Sequence, residues 1–188
     1  MEGGRNMKLV RILAITLALS ALTPMSFAKE PPHIKSMMGQ TQLQGLGRLN
    51  FWGFHVYDAN LYRGAAKDSE EFALELKYQR SFSGEAIANR TAEEMKNLGV
   101  ADAQATSWGK ELASILPNVE SGQTIAAVYI PRQGTSFFYE GKKISQIQGA
   151  DFAKAFFGIW LDSKTSAPKL RAELLGQGCP PPLISGAC

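Results

Sequence analysis

Proton transfer needs a side chain that titrates near neutrality or a hydroxyl that can pass a proton on. The stretch 49–62 (LNFWGFHVYDANLY) carries one of each two residues apart, His55 and Tyr57. Read at period two, both fall on the side of Leu49, Phe51, Gly53, Ala59 and Leu61. The opposite side carries Trp52, Phe54, Val56 and Tyr62 among Asn50, Asp58 and Asn60. A strand with one wet face alternates apolar and polar residues cleanly. Aromatics on both sides predict a long central strand with one face on the core and the other covered by a packed helix or a ligand. His55 then has two open roles, a proton-transfer group or a core histidine with a satisfied hydrogen bond.

The other reactive side chains narrow the chemistry. Cys179 and Cys188 both sit in the C-terminal stretch GCPPPLISGAC. In an exported chain they are expected to form a disulfide that closes a small loop outside the packed domain; free thiols and a bond to a partner are the alternatives. His33 and His55 lie too far from them in sequence to suggest a zinc site, so neither metal nor cofactor is expected.

Export is read from the first residues. Arg5, Lys8 and Arg11 precede an apolar run at 12–22, and Ser26 and Ala28 supply small residues where a signal peptidase reads. The run is shorter than the roughly 20 residues that span a bilayer. Residues 1–28 are therefore expected to be a signal peptide cleaved after Ala28, with Met1 or Met7 as the start, and the mature chain to be periplasmic or secreted. Removing Arg5, Lys8, Arg11 and Glu2 lowers the formal charge from +3 to +1. No concentrated basic face remains for nucleic acid.

The elements that position these residues follow in order. Residues 29–40 contain Pro31 and Pro32 without a period and read as an N-terminal arm. Residues 41–49 read as a strand feeding the central one, with Gly45 and Gly47 marking a bulge or a close backbone approach. Residues 71–78 alternate faultlessly, predicting a strand with one wet face. Ser83 is placed to cap a helix running to Leu98 and ended by Gly99. Asp102 is placed to cap a second helix, with Ala105, Trp108, Leu112, Ile115 and Leu116 at helical spacing. Three short strands follow at 124–130, 136–139 and 142–147. Asp151 is placed to cap a helix to Leu161, and Pro168 opens a last one that ends at Gly176. Runs of strands separated by runs of helices predict an α+β fold, helices layered on one face of an antiparallel sheet.

The motifs FWGFHVY at 51–57 with LY at 61–62, LELKY at 74–78 with Arg80, YIPRQGT at 129–135, FYEG at 138–141, DFAKAFFGIWL at 151–161 and LRAELLG at 170–176 resemble the bacterial, exported branch of the chalcone isomerase-like family. The resemblance covers a domain at 41–176, between the arm and a Pro/Gly/Cys tail at 177–188. It implies an open-faced β-sandwich with a ligand cleft between sheet and helices.

The family's enzymes use an early arginine, a strand threonine and a Tyr, Lys, Asn set on the first helix. Here the threonine position falls on Trp52, and the helix set falls near Ala86, Asn89 and Glu93. Other members of the family bind a fatty acid, holding its carboxylate with an arginine and a tyrosine. On that likeness Arg80 is the candidate cation, and Tyr57, Tyr78, Trp52 and Trp108 are candidate walls of an apolar slot. The expectation is a non-catalytic periplasmic binder of a fatty acid or similar apolar anion, with no catalytic residue assigned. The alternatives are an isomerase or intramolecular lyase using His55 or Tyr57, and an envelope protein that docks onto another through its tail.

Overall fold

A computed structural model describes Met1 and residues 30–66 and 68–184. The rest of the expected leader and Cys188 lie outside them. Six strands, β1 (Thr41–Phe51), β2 (Phe54–Gly64), β3 (Phe72–Tyr78), β4 (Thr124–Ile130), β5 (Gly134–Tyr139) and β6 (Lys142–Ile147), form one antiparallel sheet in the order of the chain. Five helices, α1 (Pro32–Met38), α2 (Gly84–Asn97), α3 (Asp102–Ile115), α4 (Ala150–Leu161) and α5 (Pro168–Leu175), complete an α+β architecture.

Between β3 and β4 the chain leaves the sheet for α2 and α3 and returns beside the strand it left. The exchange between Tyr78 and residues 122–123 closes that excursion, with Tyr78 N–H on the Gln123 carbonyl at 2.9 Å and Gly122 N–H on the Tyr78 carbonyl at 2.7 Å. Ser83 caps α2 as expected, its Oγ accepting from Ala86 N–H at 3.1 Å. Asp102 and Asp151 do not cap; the residues before α3 and α4 are Ala101 and Gly149, which make no side-chain cap.

Helices α2 to α5 cover one face of the sheet. Aromatic rings fill the interface: Phe72 meets Phe157 edge-on with centroids 4.6 Å apart, and Phe137 meets Phe156 at 5.3 Å. Helix α5 lies against β1 because Gly45 and Gly47 have no side chains to hold it off. A Cβ on Gly47 would come within 2.7 Å of Leu170 Cδ1, and one on Gly45 would run into the Leu174 carbonyl. The close approach expected of these glycines is present, and the register also slips between Leu43 and Gly45.

Three expectations are corrected. The stretch 49–62 is not one strand: Trp52 and Gly53 both take positive φ, 52° and 79°, and turn β1 back onto β2 as a two-residue hairpin. Positive φ at both central positions is the type I′ geometry that suits the twist of paired strands. The resulting β2 is second from the edge, not central.

The face of β3 expected to be wet is largely covered: Ala73 is buried and Glu71 and Glu75 are partly so, while Lys77 stays exposed. Residues expected to form an aperiodic arm make α1, which buries Ile34 and Met38 against Tyr62, Ala73, Val128 and Phe138 on the far side of the sheet. Polar groups are enclosed with them. His33 lies on the Phe138 ring at 5.1 Å, with Nε2 3.9 Å from a Glu75 oxygen. Burial lowers the His33 pKa and raises that of Glu75, and burial beside the Glu75 charge pushes Tyr62 up to about 12.

The C-terminal stretch, expected to loop outside the packed domain, is stitched to it. Gln44 Nε2 donates to the carbonyls of Leu175 at 3.2 Å and Cys179 at 3.0 Å, and Pro180, Pro181 and Ile184 are buried. Cys179 is disulfide-bonded.

Candidate functional site

The β1–β2 hairpin carries aromatics past the end of the helical layer. Phe51 is 54% exposed, Trp52 86% and Phe54 58%, so three large rings stand in solvent around one turn. Arginines flank two of them. The Arg80 guanidinium, just beyond β3, lies 4.5 Å from the Phe54 ring centroid, and that of Arg90, on α2, lies 5.8 Å from that of Phe51.

The arginines at this end differ in what neutralises them. Arg90 bonds the carboxylate of Glu94, which is buried, and stands 3.6 Å from Glu93. Arg48 donates to Asp58 at 3.1 Å. Arg80 is exposed and, among the described residues, has no carboxylate within 4.0 Å. An exposed guanidinium on an aromatic ring keeps its charge and forked donors available to a carboxylate or phosphate.

Below the hairpin, the space expected to hold a ligand is occupied by side chains. Trp160 of α4 donates its Nε1–H to the Tyr57 hydroxyl at 2.8 Å, and the Tyr57 and Tyr78 rings meet edge-on at 5.8 Å. Burial pushes both phenols above the ordinary tyrosine range. Neither is suited to accept a proton near neutrality, because the phenolate would have to form in that apolar surrounding.

His55 is no freer. Its Nε2 is 2.9 Å from Asp58 Oδ1, the oxygen Arg48 also bonds, while Gln79 Nε2 holds the other oxygen at 2.8 Å. Partial burial works to raise the Asp58 carboxyl, but the hydrogen bonds and charges of Arg48 and His55 outweigh it and hold the pKa below the usual value. A carboxylate so fully engaged anchors the base of the hairpin.

The five candidate residues are thus only partly brought together. Tyr57 and Tyr78 touch and are part of the packed interior; Trp108 packs on Phe152 at 5.6 Å within the helical layer. Trp52 is at the hairpin tip and Arg80 faces solvent, so neither points into the space between sheet and helices. Surface hollows lie elsewhere, among them one beside Met38, Gln40, Gly64 and Ser69 and a groove between α2 and α3 lined by Glu85, Asn89, Lys96 and Lys110. No group of three or more metal-ligating side chains occurs among the described residues.

Sequence reading passed over Phe51 and Phe54 as site residues, and the buried Glu94 with its partner Arg90. A signal for Glu94 was present, since it shares the helical spacing 87, 91, 94, 98 with Ile87, Thr91 and Leu98.

The comparisons with known proteins bear on this geometry. A family model described as chalcone isomerase-like matches residues 28–176. The chain belongs to the chalcone isomerase-like family. An uncharacterized protein of Haemophilus influenzae is 29% identical over 139 residues, 71% of this chain and 68% of its own length. Among solved structures, a fatty-acid binding protein of Arabidopsis thaliana superposes with a TM-score of 0.56 at 13% identity, over 73% of this chain and 87% of that one. The likeness establishes a shared fold.

Against the chalcone isomerase-like enzymes, the positions matched to catalysis are turned away from the interior. Ala86, Asn89 and Glu93 are all exposed on α2, and Trp52, in place of the threonine, is 86% exposed at the hairpin tip.

Proposed function

We propose that this chalcone isomerase-like protein is a non-catalytic binder of an apolar anion, a fatty acid or a molecule of similar make-up. The anionic group is taken at Arg80 and the apolar part lies along the exposed rings of Phe51 and Phe54. The observation that carries this reading is the Arg80 guanidinium, laid on an aromatic ring with no carboxylate within 4.0 Å among the described residues. Binding there needs one charge-assisted bond and apolar surface to cover, and both stand ready. The name of the Arabidopsis structural neighbour, a fatty-acid binding protein, supports the ligand class. The groups an isomerase would use are replaced or held in other bonds, which favours binding over turnover.

We also propose that the protein works in the periplasm, on the strength of the leader at residues 1–28. A mature N-terminus at Lys29 in the periplasmic fraction is the expected result, and an uncleaved cytoplasmic chain would refute it.

Native mass spectrometry of protein taken from its own envelope tests the binding. A stoichiometric apolar anion is expected, lost on Arg80→Gln with the fold intact. A clean ligand-free spectrum, or a ligand indifferent to Arg80→Gln, would defeat the assignment.

A further inference from the structure

The β1–β2 turn holds a residue that its backbone does not favour. A type I′ hairpin wants Asn-Gly or Asp-Gly, because its first central residue must take positive φ, which disfavours a large side chain. This chain places Trp52 there, at φ 52°. The fold gains little from the indole: it is 86% exposed, and its one ring neighbour among the described residues is Phe51, itself 54% exposed, at 6.1 Å. A bulky aromatic kept in a strained turn and left largely in water is not explained by packing within the domain.

We propose that the hairpin tip is a docking element for a lipid bilayer bearing anionic headgroups, with Phe51, Trp52 and Phe54 entering the interface and Arg80 remaining at headgroup level. Three observations choose this occupant. Three rings more than half exposed surround a two-residue turn, and Trp is a side chain at home where hydrocarbon meets polar headgroups. Arg80 lies on Phe54, and stacked there it can stay with phosphates while the rings go deeper. Among the described residues no carboxylate comes within 4.0 Å of Arg80, whereas Arg48 is held by Asp58 and Arg90 by Glu93 and Glu94.

A second copy of the chain is the competing occupant, and the oligomeric state in solution separates it from a bilayer. The inference does not rest on the apolar-anion reading, because it concerns a bilayer of two-chain lipids and not a bound single molecule.

Flotation with vesicles tests it. The purified protein should float with phosphatidylcholine–phosphatidylglycerol vesicles, less with phosphatidylcholine alone, and its tryptophan emission should shift to the blue and be quenched by brominated lipid. Trp52→Asn restores the preferred turn residue, so its Tm should equal or exceed that of the parent while vesicle affinity falls by about tenfold or more. Phe54→Ser, at another exposed position, should weaken binding in the same direction. Arg80→Gln should remove the preference for phosphatidylglycerol.

Absence of flotation with anionic vesicles would overturn the proposal, as would affinity unchanged in both Trp52→Asn and Phe54→Ser. A dimer in solution that Trp52→Asn dissolves would assign the tip to a second copy and overturn it too. Retention of a stoichiometric apolar ligand alongside failure on vesicles would sink this proposal alone and leave the binder reading standing.

Discussion

Two regions of this protein are rich in aromatic residues and treat them in opposite ways. Between sheet and helices, Phe72, Phe137, Phe152 and Phe157 are wholly enclosed and meet at ring-to-ring distances from 4.6 to 6.2 Å. At the β1–β2 tip, Phe51, Trp52 and Phe54 stand more than half exposed. In the first region the rings are the cohesion of the domain; in the second they contribute almost nothing to it. The difference teaches that aromatic density does not by itself mark either a core or a site, and that the neighbouring elements decide which it becomes.

The contrast can be broken at its strong end first. Phe157→Ala leaves a void between α4 and β3 and is expected to cost about 3–5 kcal/mol in chemical denaturation. A loss under about 1 kcal/mol would mean that the inner region is loosely packed, with room for a ligand after all.

Tyr57→Phe comes next. It leaves the Trp160 N–H without an acceptor in a buried place, for an expected loss of about 1–3 kcal/mol. An unchanged midpoint would show that water, and so an open path, reaches that nitrogen.

At the tip the sign reverses. Trp52→Asn relieves the unfavourable φ and is expected to stabilise the fold by about 1 kcal/mol, read as a rise in the denaturation midpoint. A destabilisation instead would reveal a packing role for the indole.

The face under α1 sharpens the comparison by a different measure. The partly buried His33 has a lowered folded pKa, so the unfolded chain binds the extra proton more readily as pH falls. Its contribution to stability is complete above the unfolded pKa of about 6.5 and is lost as pH drops through it toward the lower folded value. Thermal denaturation between neutral and mildly acid pH should fall less steeply in His33→Gln than in the parent. Equal slopes would mean that His33 is solvated.

The smallest effect is expected of Phe54→Ser, within about 0.5 kcal/mol of the parent, because the ring is already in water.

Much of the fold was legible in the residues. The 3.6 periods of α2 to α5, the Ser83 cap, the terminating glycines and the short strands of 124–147 lie where their patterns place them. The hairpin was not, because Gly53 could be counted as one more member of an alternation and Trp52 is the wrong residue for the turn it occupies. Helix α1 escaped notice because seven residues after two prolines bury only the pair Ile34 and Met38, too few to show a period.

The candidate site was legible only as a parts list. Arg80 and the aromatics could be named, yet their directions depended on where β1 turned.

The local sequence determined α2 to α5, the short strands at 124–147 and the α+β class, and marked Gly45 and Gly47 for a bulge or a close backbone approach, because periodicity, caps and a missing Cβ act within a few residues of themselves. Tertiary structure decided which rings are core and which are surface, that Arg80 lies on Phe54 with no acid within 4.0 Å among the described residues, that α5 seats on Gly45 and Gly47, and which segment covers the second face. Those outcomes are set by contacts between residues far apart in the chain, such as Arg48 with Glu173 and Tyr57 with Trp160, and no local pattern encodes them.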